Sequence, residues 1–426
     1  MPLAARMRRL SPSHLALYAL AGVLAATVWS AAGEPWAAPA DGAHYLRLAR
    51  GLAAEAPFAF RPLAPALASA LASWTGLSAE AGFFALSWGT LGLATAAFAA
   101  LGHAHGSGRR GVLTAAFWAL SFGIAYGATT GVRADPLLLL SVAGIVAVGR
   151  TSRPAWVLAA VAVGGVLAHE MAFFGLLALG VERASGAALF SRPEEARHGA
   201  TWPQLLGAGL AAVAALALVR ATTEALPATL LNWSDTSPVA LAAQAVDYAR
   251  GGVRYSLRVY AAFGPAAFFA LAALAGRPPR DRVAAVGLVG VAVALTFLAT
   301  DTLRVMALAG VVVLPLAAAF VDGLLARRQT GLATAALAVQ GVFSAVVYGH
   351  LVTFEASPNL QVLAVALSIA GLGIAIRGAR SPRWNAAPTP GAAPGAEPRR
   401  AERTGVRPSF PPALQRPAAS TRAVSS

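Results

Sequence analysis

Apolar runs of about 20 residues recur along the chain between residues 14 and 377, separated by short stretches that hold most of the charge. They fall near 14–33, 81–101, 111–130, 136–149, 154–181, 203–222, 256–276, 283–300, 304–325, 330–349 and 360–377. A run of that length crosses a hydrocarbon layer of ~30 Å as a helix. Backbone groups in lipid find no water, so each crossing segment must satisfy them internally. A β-barrel would alternate apolar and polar positions, and these runs do not. The pattern predicts an all-α, polytopic transmembrane bundle.

Counting eleven simple crossings conflicts with the positions of the arginines. Basic residues accumulate in cytoplasmic loops, and 102–110, 150–153, 183–202 and 277–282 all read as inside. A single crossing at 154–181 would put 150–153 and 183–202 on opposite sides. The conflict disappears if that run is two short helices breaking at His169-Glu170, because an ionisable pair inside an apolar run needs water or a partner. The prediction becomes about 12 helices with both termini cytoplasmic, in a bacterial inner membrane. Of the 33 arginines, 24 then fall inside and 9 outside.

Composition changes the picture in three places. Hydrophobic residues make up 57% of the chain and charged residues 12%, about half the charged share of a soluble domain (~25%). The net charge of +15 reads as topology rather than as nucleic-acid binding. The basic residues are all arginine, as in a GC-rich bacterial genome. With no cysteine, disulfides, thiolate nucleophiles and cysteine-ligated metals are excluded. The basic start and apolar core of residues 1–33 fit a signal peptide, but the apolar stretch is long and is expected to stay as the first helix. Residues 381–426, rich in Pro, Ala, Arg and Ser, cannot bury a core and are expected to form a disordered cytoplasmic tail after a membrane domain of residues 1–380.

Chemistry-bearing residues gather on the outward side. The first outward loop runs from Asp41 through Tyr45 to Pro57-Phe-Ala-Phe-Arg61-Pro-Leu-Ala-Pro65. Tyr45, Leu48, Ala49 and Leu52 share a helical face, predicting an amphipathic helix on the membrane surface with Asp41 as its N-cap. Then come Arg133-Ala-Asp135-Pro136, the break at His169-Glu170, a loop at 223–255, and Asp301-Thr-Leu-Arg304.

This order resembles the GT-C superfamily of polytopic glycosyltransferases, in particular its uncharacterised bacterial members. The resemblance covers roughly residues 10–325 and rests on layout more than on a strict motif. It implies transfer of a sugar from a polyprenyl-phosphate donor to an acceptor outside the cytoplasm. It implies that Asp41 corresponds to the first-loop acid that acts as base. Many members carry two adjacent acids there, whereas this chain has Asp41-Gly42, which leaves open whether Asp41 acts alone or with Asp135.

The residues themselves fit such chemistry. A carboxylate can take the proton of an attacking hydroxyl, and Arg61, Arg133 or Arg304 can receive a phosphate through bidentate bonds. Tyr45, Asp135, His169, Glu170 and Asp301 are supporting candidates. Membrane lipids are the surrounding partners, and the acceptor is not legible. Hard divalent cations take oxygen ligands, so Asp41, Asp135 or Glu170 are also candidates for a metal, though no spacing demands one.

Plainer readings stand beside these. Asp41 can serve only as a helix cap, Arg61 can reach lipid headgroups, Arg133 and Asp135 can close a local turn, Glu170 can simply pair with an arginine, and Asp301 can pair with Arg304 one turn on. A secondary transporter or lipid flippase would instead show broken helices and charges near the bilayer midplane. A non-enzymatic membrane protein would need no clustering of arginines and acids at all.

Overall fold

The computed structural model describes residues 10–32, 40–104, 108–151, 153–190, 199–226, 246, 250–297, 302–350 and 357–380. The tail from 381 onward, Asp301 and most of the 223–255 loop lie outside the described residues. The architecture is all-α.

The chain opens with α1 (Pro12–Ala32), followed by the short α2 (Ala40–Ala49). Next come α3 (Leu63–Thr75), α4 (Ala79–His103), α5 (Gly108–Ala119), α6 (Phe122–Thr130) and α7 (Asp135–Gly149). Then follow α8 (Ala155–Ala168), α9 (Phe173–Ser185), α10 (Trp202–Thr222), α11 (Gly252–Ala261), α12 (Pro265–Ala275) and α13 (Pro279–Thr296). The last helices are α14 (Thr302–Met306), α15 (Gly310–Ala326), α16 (Thr330–Tyr348) and α17 (Pro358–Arg380).

Local chemistry sets several of these ends. Ser78 caps α4 by accepting the Ala81 N–H at 3.2 Å, which satisfies one of the free donors of a first turn. Pro136 and Pro265 sit in first turns, where a missing N–H is harmless.

The α14–α15 unit is the central element, and its apolar stretch is wholly buried. It packs against α5 and α12, while α4 packs against α1, α5 and α7. A Cβ on Gly92 of α4 would meet the Ala19 carbonyl oxygen of α1 at 2.7 Å, so these two helices approach as closely as small residues permit. The outer helices α1, α10 and α17 leave large apolar side chains exposed, among them Leu24, Leu210 and Ile369, as a lipid-facing surface requires.

Among the described residues, six helices are long and apolar enough to cross a membrane, or seven if the bent α5–α6 pair is one span. The other crossings expected of a bundle of about 12 helices fall on shorter or interrupted segments, for physical reasons. The α7 and α8 helices, at 15 and 14 residues, reach only ~21–23 Å at 1.5 Å per residue. Arg280, Asp281 and Arg282 charge the first turn of α13. The run 256–276 divides into α11 and α12 at Gly264-Pro265, and 111–130 bends by 49° between α5 and α6. An apolar helix, α3, occupies what read as the end of an outward loop.

The break at His169-Glu170 is present. The α8 helix ends at Ala168, His169 is extended, and Glu170–Ala172 forms a single 3-10 turn before α9. Asp41, expected as the cap of α2, lies inside its first turn instead. Of the predicted apolar face, Tyr45 and Ala49 are buried, whereas Leu52 falls beyond the helix and is exposed.

Candidate functional site

Five segments bring charged groups to one end of the bundle. The α2 helix carries Asp41 and Tyr45, and the turn before α3 carries Arg61. The α6–α7 connection carries Arg133 and Asp135, the α8–α9 break carries His169 and Glu170, and α14 carries Arg304.

The α6–α7 connection is fixed by backbone conformation. Gly131 ends α6 at φ +57°, with the ring of Phe84 against its Cα, and its carbonyl accepts the Ser87 hydroxyl at 2.6 Å. A side chain there would be strained by the left-handed backbone and blocked by Phe84. The turn that follows points Arg133 and Asp135 into the protein, at 6% and 5% side-chain exposure.

Arg61 and Glu170 form a fork. Arg61 Nε donates to Glu170 Oε2 at 2.9 Å and Nη2 to Oε1 at 2.5 Å, while Nη1 donates to the Tyr45 hydroxyl at 3.2 Å. Phe58 lies under the guanidinium, 5.8 Å from the ring centroid. His169 Nδ1 accepts the Met171 N–H at 3.2 Å, which places the proton of the neutral ring on Nε2. Burial opposes the charge on Arg61, but Tyr45 and Glu170 outweigh it and hold the guanidinium above its ordinary value.

The second group is built on two carboxylates. Arg304 Nη1 donates to Asp41 Oδ2 at 3.0 Å, and its Nε lies 3.5 Å from Asp135 Oδ1. Arg133 Nη1 lies 3.4 Å from the same Asp41 Oδ2 and also donates to the Tyr126 hydroxyl, with its guanidinium over the Tyr126 ring. Arg61, Arg304, Asp135 and His169 act on one another electrostatically, so the two groups form one network. Among the described residues, three arginines face three carboxylates, and the formal charges of these six cancel. Such pairing offsets the desolvation cost of burying charge.

Exposure is uneven within this network. Asp41, Glu170 and Arg304 keep 25%, 29% and 20% of their side chains accessible, whereas Arg61, Arg133 and Asp135 are enclosed. Two simple alternatives resolve differently from expectation, those for Arg133 and for Arg61. Arg133 and Asp135 do not close a local turn together; each pairs with a distant partner. Arg304 pairs with Asp41 and Asp135, and Asp301 lies outside the described residues. Arg61 is committed to Glu170 rather than turned outward.

Each carboxylate considered for a divalent cation faces an arginine, and among the described residues no group of three or more His, Asp or Glu is arranged to hold one. Tyr126 and His44 were not singled out by the sequence, and Phe58 entered only as part of the Pro57–Pro65 stretch. His44 stacks on Phe58 at 4.6 Å, and its buried Nδ1 has no hydrogen-bond partner among the described residues. Its position three residues after Asp41 on a helix was the available signal.

A second charged cluster lies away from this network and gathers segments that read as cytoplasmic loops. Asp322 of α15 takes Arg109 Nε at 2.5 Å and Arg110 Nε at 2.8 Å. Buried Asp281 accepts the Ala188 N–H at 3.1 Å, and Glu182 accepts that of Phe190 at 2.8 Å.

No protein-family profile matches the chain, and no curated protein matches it. Among solved structures, the chain is similar to the archaeal oligosaccharyltransferase AglB from Archaeoglobus fulgidus, in complex with an inhibitory peptide and a dolichol-phosphate. Identity is 12%, the TM-score is 0.44, and the match covers 85% of this chain. The chain spans only 55% of that protein. A likeness this distant carries no inference about activity.

Proposed function

We propose that the chain is an integral membrane glycosyltransferase-like protein of a bacterial inner membrane, with both termini cytoplasmic. It transfers a sugar from a polyprenyl-phosphate donor to a hydroxyl acceptor on the non-cytoplasmic face. The observation that carries this reading is the convergence of three arginines and three carboxylates from five segments at one end of an apolar bundle, with Asp41 and Arg304 on its accessible side. A lipid-phosphate donor needs an anion-binding group beside a base, at a site its headgroup can reach from the membrane.

In this reading Asp41 accepts the proton of the acceptor hydroxyl. The hydroxyl oxygen bonds to the anomeric carbon as the bond from that carbon to the phosphate oxygen breaks. The lipid phosphate leaves with the electron pair of that bond. Arg304 and Arg133 stabilise the charge gathering on it. Arg61 is a positioning residue: through Glu170 and Tyr45 it joins the α8–α9 break to α2.

One feature favours a second reading, a secondary transporter. Helices are interrupted at α5–α6 and α8–α9, as in many transporters. The charges lie at helix ends rather than within long spans, which weighs against it. The deciding assay uses purified protein in lipid with a panel of radiolabelled polyprenyl-phosphate sugars, wild type beside Asp41→Asn. Turnover that the variant abolishes supports the enzyme and its base together. Folded wild type that turns over no donor supports transport or a non-enzymatic role.

A further inference from the structure

Asp41 is not a free carboxylate. Its Oδ2 is shared by Arg304 at 3.0 Å and Arg133 at 3.4 Å, while Oδ1 has no partner among the described residues. Arg304 in turn is held from two sides. Its Nη1 and Nε both lie 3.5 Å from Asp135, which is buried in the first turn of α7. Asp41 stands on the ten-residue α2 and is five times as exposed as Asp135, at 25% against 5%. Arg304, at 20%, is also the most accessible of the three arginines.

We infer that a lipid-linked phosphate and the Asp41 carboxylate compete for Arg304, so that the donor's own phosphate uncovers Asp41 while Asp135 keeps the guanidinium in place. The inference rests on the reading of the site as one for a polyprenyl-phosphate donor. A guanidinium presents five N–H groups in one plane and binds phosphate through two of them at once. The edge that now meets Asp41 is the edge a phosphate arriving from the accessible side reaches first. The anchor on Asp135 leaves Arg304 where it is, so the exchange moves only the carboxylate. The phosphate adds a negative group to the three carboxylates and three arginines among the described residues, and the acceptor's proton, once transferred to Asp41, cancels one. The ion pair at Asp41 thus keeps the base engaged until a donor is bound.

The test is equilibrium binding of undecaprenyl phosphate to the full chain in nanodiscs, which reads affinity without turnover. Wild type should bind saturably, and Asp41→Asn should bind about tenfold more tightly, because one charge-assisted competitor is gone. Arg304→Gln should weaken binding by about tenfold or more, and adding Asp41→Asn to it should restore nothing. Asp41→Ser carries the same test if the Asn variant does not fold. Wild type that binds while folded Asp41 variants bind equally or more weakly overturns the exchange and leaves the donor site standing. A gain that persists without Arg304 overturns it as well. No saturable binding by wild type or variant removes the donor reading and the exchange together.

Discussion

Arg61 and Glu170 stand 109 positions apart in the sequence and meet through two parallel hydrogen bonds, pinning the turn before α3 to the break between α8 and α9. The guanidinium is 5% exposed. Removing its partner strands a buried charge, which is the costly way to break such a pair. Glu170→Ala should therefore destabilise the protein by about 3 kcal/mol in detergent unfolding. Replacing both residues by apolar ones of similar size should recover much of that loss. A Glu170→Ala variant as stable as wild type would mean that the guanidinium reaches water.

Tyr45 gives this region an alkaline limit. Its ring is buried between Phe58 and Phe83. Burial pushes its hydroxyl above the ordinary tyrosine value, and Arg61 pulls it back only in part. An unfolded tyrosine ionises near pH ~10, whereas the folded one keeps its proton to higher pH. Its contribution is complete below about pH 10 and is lost as pH rises towards the folded value. Stability should thus fall more steeply as pH rises above about 10 in wild type than in Tyr45→Phe. Parallel slopes in the two proteins would refute the assignment.

The long helices were legible in the sequence because a run such as 330–349 has one physical meaning at that length. The break at His169 was legible for a different reason, since only two short helices there reconcile the arginines on either side. The α3 helix was hidden by Pro62 and Pro65, which read as loop, although a proline in a first turn is well tolerated. The residues of the site could be gathered on one face from loop order alone. Their pairing could not, because Arg304 and Asp41 are 263 positions apart and no local spacing joins them. Local rules favoured Arg133 with Asp135, and the fold gives Arg133 a distant partner instead; Arg304 also reaches distant partners, while Asp301 lies outside the described residues. Tyr126 gave no signal, since a tyrosine in an apolar helix is ordinarily just packed.

Asp322 predicts an asymmetry away from the proposed site. The carboxylate is 8% exposed, whereas Arg109 and Arg110 are 49% and 27% exposed. Asp322→Asn releases two arginines that can turn to water, so its cost should stay near 1–2 kcal/mol. The double change Arg109→Ala with Arg110→Ala leaves the carboxylate buried and alone, and should cost about 3 kcal/mol or more. Unfolding of the three proteins decides between them. Turnover per folded molecule should be unchanged in Asp322→Asn, and a selective loss of turnover would tie that cluster to the chemistry.

Tyr126 should behave as part of Arg133 rather than as core. The Arg133 guanidinium donates to the Tyr126 hydroxyl and lies over its ring, 5.1 Å from the centroid, while its Nε has no partner among the described residues. Tyr126→Phe keeps the ring and removes the acceptor, at a cost of about 1.5–3 kcal/mol for a bond to a charged group. Tyr126→Ala also removes the ring and should cost more. The informative comparison is a cycle of Tyr126→Phe, Arg133→Gln and their combination, followed by undecaprenyl phosphate binding and by donor turnover. Coupled residues give a double variant no worse than Arg133→Gln alone, because the hydroxyl acts only by aiming that guanidinium. Additive losses would mean that Tyr126 acts on the substrate independently of Arg133. No loss in Tyr126→Phe would mean that the stacking, rather than the hydroxyl, holds Arg133 beside Asp41.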